Sequence, residues 1–87
     1  MDINQIKNVV TVYKESINRK GVIKPIRYTD NEVADHHGRY PHLLWMCDEI
    51  LNGNVTDEKA HRWLGFIQGV LWDDCAYTIS QMKDHNR

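Results

Sequence analysis

The chain has 87 residues, is 41% hydrophobic and 26% charged, and carries a formal net charge of −1 at pH 7. This length allows one domain, and the nearly neutral charge gives no general attraction to nucleic acid or to an anionic membrane. No apolar run approaches the roughly 18 to 20 residues that span a bilayer, which excludes a membrane protein. Two cysteines and a polar N-terminal sequence without a secretory signal favour a cytoplasmic protein.

Residues 1–20 predict an N-terminal helix. Asp2 is placed to cap its start, and Gly21 follows its last apolar position, where a glycine commonly ends a helix. The apolar residues recur every three or four positions and therefore share one face. These residues are Ile3, Ile6, Val9, Val10, Tyr13 and Ile17.

A connector and a short helix are predicted next. Pro25 lacks an N–H, and no second strand is evident to pair with the stretch 22–28, so this stretch predicts an extended connector. Thr29 and Glu32 form the capping box of a short helix over about 30–37. A glycine then ends that helix.

Two longer helices and a C-terminal short one are predicted in the rest of the chain. Pro41 suits the first position of the next helix, and Gly53 suits the position after its end. Thr56 caps a strongly apolar helix over about 57–74, which we expect to be central and covered on most sides. A last capping box, Thr78-Ile-Ser-Gln81, opens the tail helix.

The sequence therefore predicts one all-α domain, a small bundle of about five helices, three long and two short, around the central apolar helix. Residues 1–20 form the N-terminal helix, 21–40 the loop and short helix, and 41–87 the helical core. Gly65 and Gly69 lie four residues apart on one face of the central helix, and each costs about 1 kcal/mol relative to alanine. Two interpretations are open: close contact with another helix of the chain, or self-association with a second copy.

Three histidines are candidate metal ligands, namely His36, His37 and His42, because imidazole is a common ligand of zinc. No CxxC or HxxxH pair accompanies them, and histidines in a last helical turn also cap carbonyl groups. We therefore expect no metal site and no cofactor, and keep the histidine cluster as an alternative.

Paired carboxylates are the next candidates for chemistry. Glu32 and Asp35 lie three residues apart, as in the ExxE or ExxD pairs of all-α nucleotide pyrophosphohydrolases of the MazG type, which hold magnesium between two helices. The second pair that such an enzyme needs is missing, and the sequence has no nucleophile elbow or glycine-rich phosphate loop. We expect that the protein is not an enzyme, with a metal-dependent nucleotide pyrophosphohydrolase as one alternative.

Basic residues cluster at the end of the first helix and in the connector. Arg19, Lys20, Lys24 and Arg27, together with Tyr28, are candidates for binding an anionic ligand such as a signalling nucleotide between protomers of a helical oligomer. Solvated side chains that complement the helix dipole explain the same cluster. Recognition of nucleic acid is not favoured, because no helix shows the basic face of a helix-turn-helix.

Three segments of the chain carry a resemblance: His42-Leu-Leu-Trp-Met-Cys47, His61-Arg-Trp-Leu-Gly-Phe-Ile-Gln-Gly-Val-Leu-Trp72 and Tyr77-Thr-Ile-Ser-Gln-Met82. Over residues 40–87 the chain resembles small accessory proteins of tailed bacteriophages that infect enteric bacteria. The resemblance implies expression in the cytoplasm of an infected bacterium and binding of a host factor, including a component of host defence. It carries no functional residues over to this chain.

The leading hypothesis is a non-enzymatic binding protein that occludes or redirects a host macromolecule, most simply a host protein. Aromatic residues, methionine and arginine are enriched at the centres of protein interfaces. On that basis the candidate contact residues are Arg39, Tyr40, Arg62 and Trp72.

Overall fold

The computed structural model describes residues 1–28 and 38–87, and no strand occurs among them. Four helices follow one another in this part of the chain: α1 (Ile3–Arg19), α2 (Arg39–Leu51), α3 (Asp57–Asp73) and α4 (Ile79–His85). The predicted all-α class is confirmed for the described residues. These helices correspond to four of the five expected ones, and the predicted helix over about 30–37 lies outside the described residues.

Helices α1, α3 and α4 begin after the predicted capping residues, whereas α2 begins at Arg39 and not, as predicted, at Pro41. The Asp2 carboxylate accepts the backbone N–H of Gln5 at 2.8 Å, and the Gln5 side chain accepts the backbone N–H of Asp2, which completes a capping box. Thr56 caps α3, and Thr78 caps α4 in a second capping box with Gln81. These contacts satisfy backbone donors that have no partner inside the helix.

The helices α1, α2 and α3 each end with a residue in the left-handed backbone region. Gly21 (φ 92°) and Gly53 (φ 73°) follow α1 and α2, as predicted, whereas Cys75 (φ 60°) occupies this position after α3. After α2 and α3, the backbone N–H of the residue that follows the left-handed position donates to a carbonyl in the last turn of the helix. The distances are 3.0 Å after α2 and 2.8 Å after α3, and this pattern is a Schellman motif. A β-carbon is strained in this backbone conformation. Because glycine has no β-carbon, this strain occurs only at the end of α3.

The hydrophobic core lies between α1, α2 and one face of α3. The predicted face of α1 is confirmed, because Ile6, Val10, Tyr13 and Ile17 are completely buried, and Ile3 and Val9 pack at its edge. The other two helices contribute the remaining buried apolar side chains. These are Tyr40, Leu43, Leu44, Met46, Cys47 and Ile50 from α2, and Ala60, Leu64, Ile67 and Leu71 from α3.

Among the described residues α3 is not the central helix, contrary to the expectation for residues 57–74. Its most extensive neighbour is α1, yet α1 and α2 pack against each other more than either packs against α3. Phe66 and Trp72 lie on the opposite side of α3 from the core and are 55% and 50% exposed. The apolar content of the segment does not predict its burial, because two of its largest side chains lie outside the core formed with α1 and α2.

The connector after α1 runs along α2 without regular secondary structure, as predicted. The backbone N–H of Ile26 donates to the carbonyl of Pro41 at 3.1 Å, and the backbone N–H of Tyr28 donates to Nδ1 of His42 at 3.1 Å. The Tyr28 hydroxyl donates to the carbonyl of Gly38. These bonds fix the end of the connector against the first turns of α2.

Candidate functional site

The outer side of α3 presents a continuous exposed surface, which we call the α3 face. Its residues recur at intervals of three and four positions and therefore lie along one side of the helix. They are Arg62, Gly65, Phe66, Gly69, Trp72 and Asp73, all exposed. Large aromatic side chains at this exposure leave apolar area in water, an arrangement typical of an interaction surface.

Gly65 and Gly69 form a shallow groove along the α3 face. A β-carbon built at either position meets no atom within 4 Å. Close contact with another helix of the same chain, one of the two interpretations of these glycines, is therefore wrong for the described residues. With 3.6 residues per turn, Gly69 lies between Phe66 and Trp72, so the two aromatic rings border the groove.

The α3 face continues into the turn between α3 and α4. Trp72 lines an open depression of about 440 Å³ together with Tyr77, Ile79 and Gln81. Ile79 is 55% exposed in the first turn of α4. The turn therefore extends the apolar surface beyond the end of α3.

Charged residues stand at both ends of the α3 face. Near its start the Arg62 guanidinium lies 3.4 Å from the carboxylate of Glu58. Near its end the Arg39 guanidinium lies 3.3 Å from the Asp73 carboxylate. Both pairs are exposed, so each contributes little to stability and its members can exchange partners.

Two of the four predicted contact residues, Arg62 and Trp72, belong to the α3 face, and a third, Arg39, borders it through Asp73. Tyr40 does not, because it is 8% exposed and packs into the core. Its buried position raises the pKa of Tyr40, to which the neighbouring carboxylate of Asp74 adds. Tyr40 is therefore corrected from a contact residue to a core residue, since the first turn of α2 points it inward.

A column of aromatic rings, which we call the aromatic ladder, connects the connector, α2 and α3. Tyr28 stacks on His42 with ring centroids 5.3 Å apart, His42 stacks on Trp45 at 5.4 Å, and Trp45 packs on Trp63 at 5.4 Å. All four side chains are half-buried. The ladder thus lies at the edge of the core, where its rings remain partly in water.

Two cations lie over the tryptophans of this ladder. The guanidinium of Arg27 is 5.3 Å from the centre of the Trp45 ring, and the ammonium of Lys59 is 5.0 Å from that of Trp63. Contacts of this kind contribute about 0.5–1 kcal/mol at exposed sites. Neither cation forms an ion pair with the described residues.

The basic residues predicted to bind an anion do not share one set of contacts. Arg27 and Tyr28 join the aromatic ladder, whereas Lys20 lies over the ring of Tyr40 at 5.2 Å. Arg19 and Lys24 are exposed. Only the end of the connector therefore brings predicted anion-binding residues together with other side chains that could support a ligand.

The described residues contain no cluster of metal-ligating side chains. Of the three candidate histidines, His36 and His37 lie outside the described residues, and Nδ1 of His42 accepts the backbone N–H of Tyr28. Burial raises the pKa of the nearby Cys47 to about 12, with the Asp48 carboxylate adding to the shift. Cys47 is consequently a protonated core thiol at neutral pH, and a thiolate is the form that binds metal.

Several carboxylates of the described residues lie close to cations. Asp48 lies 2.7 Å from the ammonium of Lys14, and Asp73 and Asp74 both approach the guanidinium of Arg39. The predicted Glu32–Asp35 pair lies outside the described residues.

The structure contains a buried polar network that was not predicted from the sequence. Nε2 of Gln68 donates to the Tyr13 hydroxyl at 3.0 Å, and that hydroxyl lies 2.7 Å from Nδ1 of His85. Gln68 and Asn86 also pair through two amide hydrogen bonds, at 2.7 and 3.2 Å. Gln68 shares the helical phase of the buried residues of α3, and that phase was the available signal. The network fixes the end of α4 to α1 and α3.

Comparison of the chain with protein-family models, curated proteins and solved structures finds no match in any of the three. None of the helices in the described ranges 1–28 and 38–87 has the length and apolar character required to cross a membrane.

Proposed function

We propose that the chain is a non-enzymatic binding protein that docks a protein partner through the α3 face. The observation that carries this function is the exposure of Phe66 and Trp72, at 55% and 50%, on either side of a glycine groove. Aromatic anchors of this kind dominate the binding energy of many protein interfaces. The surface offers two of them within two turns of one helix.

The shape of the α3 face suits a partner helix or an extended apolar segment. The absence of side chains at Gly65 and Gly69 lets a partner backbone approach α3 closely. Arg62 lies at the rim, where a charge contributes to orientation and to the rate of association. Ile79 extends the apolar surface in the direction of α4.

The partner we propose is a host protein, and the consequence of docking is that the host protein is occluded or redirected. The setting comes from the resemblance to bacteriophage accessory proteins and is the cytoplasm of an infected bacterium. The exposed aromatic residues of the α3 face support a protein as the partner, and the resemblance supports a host protein.

A binding experiment tests this function. The tagged protein is used to isolate a partner from bacterial lysate, and the dissociation constant of the purified pair is then measured by calorimetry. Because loss of an interface anchor costs at least about 2 kcal/mol, we expect Trp72→Ala and Phe66→Ala each to weaken binding by about 30-fold or more.

Val12→Ala is the matched control. Val12 is 45% exposed on α1, so this substitution removes a smaller apolar side chain of similar fractional exposure from a different surface. Unchanged affinity for the control, together with loss of affinity for Trp72→Ala, supports the α3 face. Equal affinity of all the variants would assign the partner to another surface.

The aromatic ladder favours a second candidate function, binding of a small anionic ligand such as a nucleotide. Arg27 and Lys59 supply positive charge beside stacked rings, which is the combination that binds phosphate and a base together. Fluorescence titration with nucleotides tests it. Arg27→Glu with Lys59→Glu should abolish binding, and unchanged binding would remove the aromatic ladder from the site.

A further inference from the structure

We infer that the α3 face is self-complementary and that two copies of the chain pair through it, antiparallel and about a twofold axis, in a weak, reversible dimer. This inference concerns the same surface as the proposed function, but it requires no other protein. The axis passes midway between Gly65 and Gly69, so that Gly65 of one protomer faces the partner's Gly69.

The order of charges along the α3 face selects the antiparallel arrangement. Arg62 stands at the start of the face and Asp73 at its end. An antiparallel pair places Arg62 next to the partner's Trp72 and the partner's Asp73, which combines a cation–π contact with opposite charges. A parallel pair would place Arg62 against Arg62 and Asp73 against Asp73, and like charges repel.

The shape of the face fits the same arrangement. Phe66 and Trp72 project on either side of the glycine groove, and no other atom of residues 1–28 or 38–87 occupies the space above the glycines. In a twofold pair the groove of each protomer receives the helix of the other. Such isologous contacts use the same patch on both subunits, and a single self-complementary face closes the assembly at two copies.

The available area indicates a weak dimer. Phe and Trp side chains bury about 150–250 Å² each, so the exposed halves of Phe66 and Trp72 together supply roughly 150–250 Å² per protomer, and Arg62 with the helix backbone supplies about as much again. The two protomers together therefore bury roughly 600–1,000 Å², which is at the low end of specific interfaces, where complexes are transient. A transient dimer hides the α3 face in the free protein and releases it to a partner that binds more tightly.

The first measurement is the mass of the full chain by light scattering and sedimentation, over a dilution series from about 0.1 mM, where a weak interface is populated. We expect a concentration-dependent shift between the 10.3 kDa chain and twice that mass. Gly69→Leu should raise the dissociation constant at least tenfold, since the added side chain fills the groove. Asn8→Leu, which adds the same side chain at an exposed position on α1, should leave it unchanged.

A charge-exchange experiment tests the register. Arg62→Asp and Asp73→Arg should each weaken the dimer by about tenfold, because both symmetric contacts become repulsive. A mixture of the two variants should regain most of the lost affinity, since each heterodimer charge contact again joins opposite charges while one of the two cation–π contacts stays absent. Native mass spectrometry distinguishes the heterodimer from both homodimers.

Three results would overturn the dimer. They are a monomer at every concentration, a dimer that Gly69→Leu leaves intact, and a mixture of the charge variants that remains monomeric. Each differs from failure of the proposed function. A monomer whose partner binding is lost in Trp72→Ala keeps that function without the dimer, whereas a dimer whose partner binding is unaffected by Trp72→Ala keeps the dimer alone.

Discussion

Two tyrosines in one aromatic cluster differ in how their hydroxyl groups are bonded. The rings of Tyr13 and Tyr77 lie 5.4 Å apart, but only the Tyr13 hydroxyl takes part in the network with Gln68 and His85. The hydroxyl of Tyr77 forms no hydrogen bond with residues 1–28 or 38–87. Burial also raises the pKa of Tyr13, which keeps its proton available for donation at neutral pH.

We expect Tyr13→Phe to lower the free energy of unfolding by about 1 kcal/mol or more, because it leaves buried polar partners with fewer hydrogen bonds. Tyr77→Phe makes the same chemical change and should alter the free energy of unfolding by only a few tenths of the loss in Tyr13→Phe. Urea unfolding of both variants measures the difference. Equal losses in the two variants would show that the network does not hold α4 in place.

His61 connects the first turn of α3 to the start of the chain. Its Nδ1 lies 2.7 Å from the carbonyl of Asp57, and its Nε2 lies 2.7 Å from the carbonyl of Met1. Only the imidazolium can donate to both carbonyls at once. These two hydrogen bonds raise the pKa of His61 in the folded chain.

The stabilisation from His61 should therefore be complete below the ordinary histidine pKa of about 6.5 and decrease as the pH rises through the higher folded value. Titration of the His61 ring by NMR should give a pKa above 6.5, and unfolding at pH 6 and pH 8 should show lower stability at pH 8. His61→Gln should remove this part of the pH dependence. A pKa below 6.5 for the His61 ring would contradict the two hydrogen bonds to the carbonyls.

At the scale of the helices, the capping signals were predictable because they are local. Asp2, Thr56 and Thr78 lie within three residues of the amides that they bind, and Gly53 occupies the position where a left-handed residue ends α2. The end of α3 was not predictable in this way. Cys75 adopts the same backbone conformation without being a glycine.

This difference between two helix ends leads to a paired prediction. Cys75→Gly should raise the free energy of unfolding by about 1 kcal/mol, because it removes the β-carbon strain of the left-handed conformation. Gly53→Ala should lower it by a similar amount, since it introduces the same strain after α2. Thermal unfolding measures both. A destabilised Cys75→Gly protein would show that the thiol side chain makes a compensating contact.

The position of α3 shows the limit of apolar content as a predictor. The segment from Trp63 to Trp72 is almost continuously apolar, which suggested a covered central helix. Its helical phase, however, divides it into a core side with Leu64 and Ile67 and an outer side with Phe66. The composition of the segment does not distinguish these two sides, whereas the periodicity of its buried residues does.

At the scale of the whole molecule, contacts between residues that are distant along the chain could not be predicted from the sequence. The aromatic ladder joins Tyr28, His42 and Trp63, and the first two of these are 14 positions apart along the chain. The network between Tyr13 and His85 spans 72 positions. Helices follow from local signals, but these contacts depend on how the helices pack.

The two thiols of the chain report on that packing. Cys47 is completely buried with a pKa of about 12, whereas Cys75 is exposed. Since the thiolate is the reactive form, we expect one thiol to react rapidly with a thiol reagent in the folded protein and the other only when the core opens. In Cys75→Ser the rapid reaction should disappear. Two rapid thiols would indicate that the core around Cys47 is open.

The placement of the three tryptophans gives the molecule two separate optical signals. Trp45 and Trp63 lie 5.4 Å apart at an angle of 44°, close enough for their electronic transitions to couple and to contribute to the circular dichroism of the folded chain. Trp72 is half in water, so its fluorescence should shift to shorter wavelength when the α3 face is covered. The packing of α2 on α3 and the occupancy of the α3 face can thus be followed in one unlabelled sample, by two different kinds of light measurement.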